Sequence, residues 1–174
     1  MAVSNDEVIL GSGKLYLMAY TTGEMPTDLL LEVPTNSVGR IKGGASLEYK
    51  PTEYAVEDDD GQVVKRFITK EEVTFKSGIL TWALENIEKL TPAKISTTEK
   101  EKILKIGGSK SLVNYALRFV HTKDNGKKLR ITMVATAGNG FVLKFEGAKE
   151  TTIDAEFKAV SQATGTLVEI KEEL

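Results

Sequence analysis

Apolar and polar residues alternate strictly from Thr152 to Lys158. Ile153, Ala155, Phe157 and Ala159 fall on one side, and Thr152, Asp154, Glu156 and Lys158 on the other. A period of two is the mark of a half-buried strand. Leu129, Ile131, Met133 and Ala135 alternate in the same way with Arg130, Thr132, Val134 and Thr136, and Tyr115, Leu117 and Phe119 with Ala116, Arg118 and Val120. Phe141, Leu143 and Phe145 share one parity. The segment Lys14 to Tyr20 is apolar at both parities, which predicts a strand covered on both faces.

Turn signals join these runs. Asn125-Gly126 lies between strands expected at 113–122 and 127–137, and Asn139-Gly140 between 127–137 and 141–146. Asp60-Gly61 lies between runs near 45–57 and 62–76. Asn-Gly and Asp-Gly supply the positive φ that type I′ hairpin turns demand. The sum is a meander of antiparallel strands. One helix interrupts it at about 79–90, where Leu80, Ala83, Leu84 and Ile87 form a single apolar stripe. Ser77 or Thr81 is placed to cap its start, and Thr91-Pro92 to stop it. Trp82, beside the stripe, is expected to complete a core. Lys94–Ile106 fits a short helix or a strand equally well. Ser96 with Glu99, or Thr98 with Glu101, has capping-box spacing, and Gly107-Gly108 ends the segment.

The most unusual feature is an arm at about 42–76, two long runs folded about Asp60-Gly61. It carries too few apolar residues near its tip for a private core, and an isolated two-stranded ribbon is marginal in water. Such an arm needs something to pack on, and a second copy of the chain is the natural candidate.

Composition narrows the chemistry. The chain has 174 residues, 41% hydrophobic and 28% charged, with a formal charge of −2. That is one ordinary domain, long enough to bury about 70% of its unfolded surface, with no global pull toward nucleic acid. With 0 cysteines, disulfides, thiolate zinc sites and cysteine nucleophiles are excluded, and 1 histidine excludes a multi-histidine metal site. No apolar run approaches the 20 or so residues of a membrane span. Met1–Leu10 has acids where the basic region of a signal peptide belongs, so no leader is expected.

Candidate catalytic features are sparse. His121 closes the run NYALRFVH on the side of Leu117 and Phe119, and no Gly-x-Ser-x-Gly elbow accompanies it. A structural histidine is the better reading. Gly11-Ser12-Gly13, Gly107-Gly108-Ser109-Lys110 and Gly138-Asn139-Gly140 lack the spacing of phosphate loops and read as turns or bulges. The acidic run Glu57-Asp58-Asp59-Asp60-Gly61 lacks the alternating ligands of a calcium loop and reads as a solvated hairpin tip. No catalytic residue, metal ligand or cofactor is assigned.

Charge is unevenly spread. Glu48–Asp60 holds six acids against one base, a net of −5, whereas Glu99–Arg130 holds nine bases against three acids, a net of +6. Both suit solvated faces. They equally suit an acidic arm of one copy docking on a basic face of another, with Lys100, Lys102, Lys105, Lys110, Lys127 and Lys128 as the candidate basic residues. A nucleic-acid patch fits less well, because no exposed aromatics interleave the bases.

Four stretches resemble the major tail tube proteins of tailed bacteriophages and phage-like particles. They are Ile9–Tyr20, Ser37–Tyr49, Phe75–Leu90 and Leu129–Phe157. The likeness lies in their order and spacing over most of the chain. It implies a mainly β fold of two packed antiparallel sheets, a β-sandwich or half-barrel, with one flanking helix and a long protruding hairpin, all in a single domain, 1–174. It implies hexameric rings stacked into a hollow tube in the virion tail, assembled in the host cytoplasm, through which DNA passes. The implied partners are tape-measure, terminator and baseplate or tip proteins, with no membrane insertion. The hairpin, at about Leu47–Phe75, would reach the adjoining ring, with Tyr54, Glu57, Asp58, Asp59, Asp60, Gly61, Val63 and Val64 at the contact. Because a basic wall would hold DNA, the bore is expected to be acidic, with Glu48, Glu71 and Glu72 as candidates. The inner tube of a contractile tail, bacteriocin or secretion system shares this plan. A β-sandwich module binding carbohydrate or a small ligand is the alternative of another class, although no aromatic platform is evident, and an enzyme is disfavoured.

Overall fold

The computed structural model describes residues 11–138 and 140–174. Its strands are β1 (Lys14–Ala19), β2 (Ile41–Glu57), β3 (Val63–Ile79), β4 (Ile95–Thr97), β5 (Lys102–Leu104), β6 (Asn114–Thr122), β7 (Lys128–Thr136), β8 (Phe141–Leu143), β9 (Ile153–Ala159) and β10 (Glu169–Glu172). Two short helices, α1 (Asp28–Leu31) and α2 (Leu84–Glu88), and a 3-10 turn at Pro34–Asn36 complete it. The fold is mainly β, as the alternation predicts: a large antiparallel sheet and a small second sheet, β4–β5.

The eight strands of the large sheet run β1-β6-β7-β9-β3-β2, with β10 on β7 and β8 on β9. Strand β7 shares one edge between two partners. Its first half pairs with β10, from Leu129↔Glu172 to Thr132↔Glu169, and its end meets β9 at Ala135↔Ala159 and Thr136↔Lys158. The sheet therefore turns a corner at these two pairs. Strands β1, β6, β7 and β10 form one leaf, and β2, β3, β9 and β8 the other. The leaves face each other: Phe75 of β3 and Phe119 of β6 lie 5.6 Å apart between ring centroids.

The odd-numbered residues that alternate in the sequence fill the space between the leaves. Leu15, Leu17, Tyr115, Leu117, Met133 and Ala135 come from one leaf, and Val73, Phe75, Ile79, Ile153, Ala155 and Phe157 from the other. Val38, Ile87 and Leu90 close the side. Phe75, Phe157 and Leu117 are fully buried, each contributing about 2–3 kcal/mol of apolar transfer energy. Strand β1 is covered unevenly: Leu15 and Leu17 are buried, while Tyr16 and Met18 are half-buried on the other face.

The helix is shorter than its apolar stripe suggests. Strand β3 runs on to Ile79, and α2 occupies only Leu84–Glu88. Pairing wins over propensity here: Ile79 is laddered to Ile41 and Ile153, and the N–H groups of Leu80 and Thr81 both donate to Arg40 O. Neither Ser77 nor Thr81 caps α2; the N-cap is Ala83. Ser77 instead donates to Gly44 O, and Thr81 Oγ1 accepts from Arg40 N–H at 2.7 Å. Trp82, released from a helix face, is 53% exposed rather than in the core.

Lys94–Ile106 forms the β4–β5 hairpin. The Thr98/Glu101 spacing closes its turn, with Thr98 N–H donating to Glu101 O and Glu101 N–H to Thr98 Oγ1. The Asn125-Gly126 and Asp60-Gly61 turns connect β6–β7 and β2–β3, but not as type I′ turns: only the glycines take positive φ, and Gly126 N–H donates to Lys123 O and Gly61 N–H to Asp58 O. Asn139 of the third turn signal, and residues 1–10 with the expectations made for them, lie outside the described residues.

Candidate functional site

The arm is an antiparallel ribbon of two 17-residue strands, β2 and β3. Strand β9 pairs with β3 only from Thr74 to Ile79. From Lys50 to Glu72 the two strands pair with each other alone. Three register shifts interrupt the ladder, between Lys42 and Ala45, Thr52 and Glu53, and Val56 and Glu57. At the first, Gly43 and Gly44 adopt φ of +77° and +74°, a backbone that side chains resist. Each shift adds local twist. Pro51 lies on β2, the outermost strand of the sheet, where its missing N–H blunts the open edge.

Alternation along β2 sorts the arm's side chains. Leu47, Tyr49, Pro51, Glu53 and Ala55 share the core-side face, and Glu48, Lys50, Thr52, Tyr54 and Val56 the outer face. Cross-strand partners add Phe67 opposite Tyr54 and Lys70 opposite Thr52 to the outer face. Six large apolar side chains of the arm are exposed: Tyr49, Tyr54, Val63, Val64, Phe67 and Ile68, from 46% to 67%. Lys65 Nζ lies 4.7 Å over the Phe67 ring, a weak cation–π contact at an exposed site.

The three candidate bore acids do not share a face. Glu48 and Glu72 are on the outer face, whereas Glu71 is on the core-side face, opposite Pro51 and accepting from Tyr49 OH at 2.8 Å. That bond raises the Tyr49 phenol above its ordinary pKa. The outer face is not uniformly acidic: Lys50, Lys70, Lys76 and Lys158 stand among Glu48, Glu72 and Glu156, with Lys70–Glu72 at 2.6 Å and Lys76–Glu156 at 3.2 Å.

At the tip, Asp58 Oδ1 accepts the N–H groups of Asp60 and Gln62, a turn built by the side chain. Glu57, Asp59 and Asp60 point outward, all exposed. The six candidate basic residues divide between two elements. Lys100, Lys102, Lys105 and Lys110 sit on and after the small sheet, and Lys127 and Lys128 at the β6–β7 turn. Lys102 is bound to Glu85 at 2.5 Å, and Lys128 to Glu32 at 3.4 Å.

Two other bases of that stretch, Arg118 and Arg130, are buried. Arg118 NH1 donates to Asp28 Oδ1 at 2.7 Å and Glu32 Oε1 at 3.0 Å. Arg130 donates from Nε to Glu32 Oε1 at 2.6 Å and from NH1 to Glu173 Oε1 at 2.5 Å. This network clamps α1 and the chain after β10 onto the outer face of β6 and β7. The Arg118 hydrogen bond holds Asp28 below its ordinary pKa. Burial opposes the ionisation of Glu32, but Arg130 and Lys128 outweigh it and hold that carboxyl low. Arg130, then the Lys128 N–H, does the same for Glu173. An arginine inside a strand apolar on both faces was the available signal; its partners, 86 to 90 residues away, had none.

His121 is 4% exposed, with Nδ1 2.6 Å from Ser12 O, in a structural position at the end of β6. Trp82 meets Phe145 with centroids 6.1 Å apart and planes inclined by 61°. The two rings are too steeply tilted for a flat sugar-stacking platform. A depression of about 730 Å³ lies between β1, the Pro34–Asn36 turn and α2, lined by Lys14, Tyr16, Glu32, Thr35, Glu85 and Lys89 among others. No helix among the described residues is long and apolar enough to cross a membrane. No protein-family model matches the chain, and no curated protein matches it.

Proposed function

We propose that the chain is a structural subunit of a phage tail tube, whose copies join into rings, six by the resemblance, and stack into a hollow conduit for DNA. The observation that carries the reading is the free arm: a ribbon from Lys50 to Glu72 with six exposed large apolar side chains and no packing partner among the described residues of its own molecule. A ribbon of this kind gains stability by burying those side chains against another copy. The contact between an arm and a body is heterologous, so it closes into rings or propagates along an axis. Joining the open edge of β2 to a neighbouring strand would remove an edge that β proteins otherwise protect.

In this reading the free part of the arm meets another copy, while the outer face of β9 and of the β9-bound part of β2 and β3 lines the bore. Its lysines and acids offset one another, so DNA would meet a wall with little net attraction. Tape-measure, terminator and tip proteins would set tube length and close the ends.

Negative-stain microscopy at high protein concentration, with light scattering at low concentration, tests the reading. Hollow tubes or stacked rings are expected. A chain that stays monomeric even with a tail initiator complex present overturns it.

A further inference from the structure

We propose that the depression between β1, the Pro34–Asn36 turn and α2 is a receptor for carboxylates, and that it takes the Glu57–Asp60 tip of a second copy of this chain. The inference rests on the reading of the arm as a contact between copies, and adds where the tip lands.

The depression is lined by two lysines, Lys14 and Lys89, and two carboxylates, Glu32 and Glu85. Both carboxylates are already engaged: Glu32 by Arg130 and Lys128, and Glu85 by Lys102. Lys14 and Lys89 line the same hollow, and among the described residues neither forms an ion pair. Lys89 is half-buried, and burial depresses its pKa, with Glu85 and Glu88 offsetting only part of the effect. A partly desolvated ammonium that Glu85 and Glu88 reach only through space, without a direct ion pair, gains from an incoming carboxylate. At about 730 Å³ the hollow falls within the roughly 300–1,000 Å³ of ordinary binding sites.

The tip fits that demand. Glu57, Asp59 and Asp60 are exposed, and among the described residues none forms an ion pair. The Asp58 bonds to the Asp60 and Gln62 N–H groups fix the turn beforehand, so little ordering entropy is lost on docking. From the last β9-bound row, Glu48↔Thr74, to the tip is about 30 Å of strand at roughly 3.3 Å per residue. The arm therefore carries its acids away from its own body and toward another molecule. Lys14 is exposed, as are Lys100, Lys105 and Lys110, whose ion pairs are screened and contribute little; the half-buried Lys89 in a concave lining is what sets the hollow apart.

The chain has 0 cysteines, so a cross-link reports one contact cleanly. The full chain carrying Lys14→Cys and Asp59→Cys, assembled and then oxidised, is expected to give a ladder of linked copies. Lys105→Cys with Asp59→Cys is the control and should give little. In parallel, Lys14→Glu with Lys89→Glu should slow assembly about tenfold at low salt, and adding Asp59→Lys and Asp60→Lys should restore it. Tubes that form without the Lys14/Asp59 ladder, or with an equal ladder in the control, overturn the receptor while leaving the tube reading intact. A wild-type chain that never assembles overturns both.

Discussion

Tyr54 and Phe67 stand directly opposite each other on the outer face of the arm, 60% and 47% exposed. A cross-strand aromatic pair helps hold the ribbon together, yet most of its surface remains in water. Replacing both by serine should leave the global melting transition within about 0.5 kcal/mol of wild type, as for other exposed positions. Assembly should be lost. Thermal melts of dilute protein and light scattering of concentrated protein separate the two effects, and tubes of normal yield would argue against an apolar arm contact.

The tip acids make a second, electrostatic prediction. Asp59→Lys with Asp60→Lys spares Asp58, whose carboxylate builds the turn. The variant should fold normally and fail to polymerise. Wild-type growth should slow as salt rises, because exposed charges are screened over about 8 Å at physiological ionic strength. Growth of the variant at the wild-type rate in both low and high salt would refute a role for these charges.

Acid should unfasten α1 and the chain after β10. Asp28, Glu32 and Glu173 are held below their ordinary values in the folded protein. The unfolded chain therefore binds protons more readily, and stability rises with pH through this range. The contribution is complete above the ordinary carboxylate pKa of about 4 and is lost as pH falls through the lower folded values. Protection of the β6 and β7 amides against hydrogen exchange, measured relative to the intrinsic rate at each pH, should fall below about pH 4. Glu32→Ala, which strips a shared partner from buried Arg118 and Arg130, should cost about 3 kcal/mol at neutral pH.

Between the leaves, Phe75→Ala removes a fully buried ring from contact with Phe119. A loss of about 3–5 kcal/mol is expected in chemical denaturation. A cost near zero would mean that the two leaves do not close on a common core.

Strand β9 was legible because it buries one face, so its period of two is written in its own residues, Ile153, Ala155 and Phe157, whereas β6 is buried on both faces. The arm and its acidic tip were equally legible, from long polar runs about an Asp-Gly turn. The helix was overread because Leu80, Ala83, Leu84 and Ile87 fit a helical stripe, and nothing local reveals that Ile79 is held by Ile41 and Ile153. Arg118 and Arg130 looked like surface charges for the same reason: their carboxylates arrive from α1 and from the chain after β10. The face of Glu71 was legible too: it shares the parity of the buried Val73 and Phe75 in β3, so it cannot lie on the same face as its neighbour Glu72.

The three register shifts along β2 and β3 have a mechanical consequence. A smooth ribbon of two long strands can slide by two residues and keep its faces. This one would have to move every irregularity at once, including the glycine pair at 43 and 44, so sliding is locked out. The arm is thereby a ruler, with its reach coded by residue count. Deleting two residues from each strand would shorten it by about 7 Å without exchanging its faces, and any repeat distance that depends on the arm would be rewritten by the same amount.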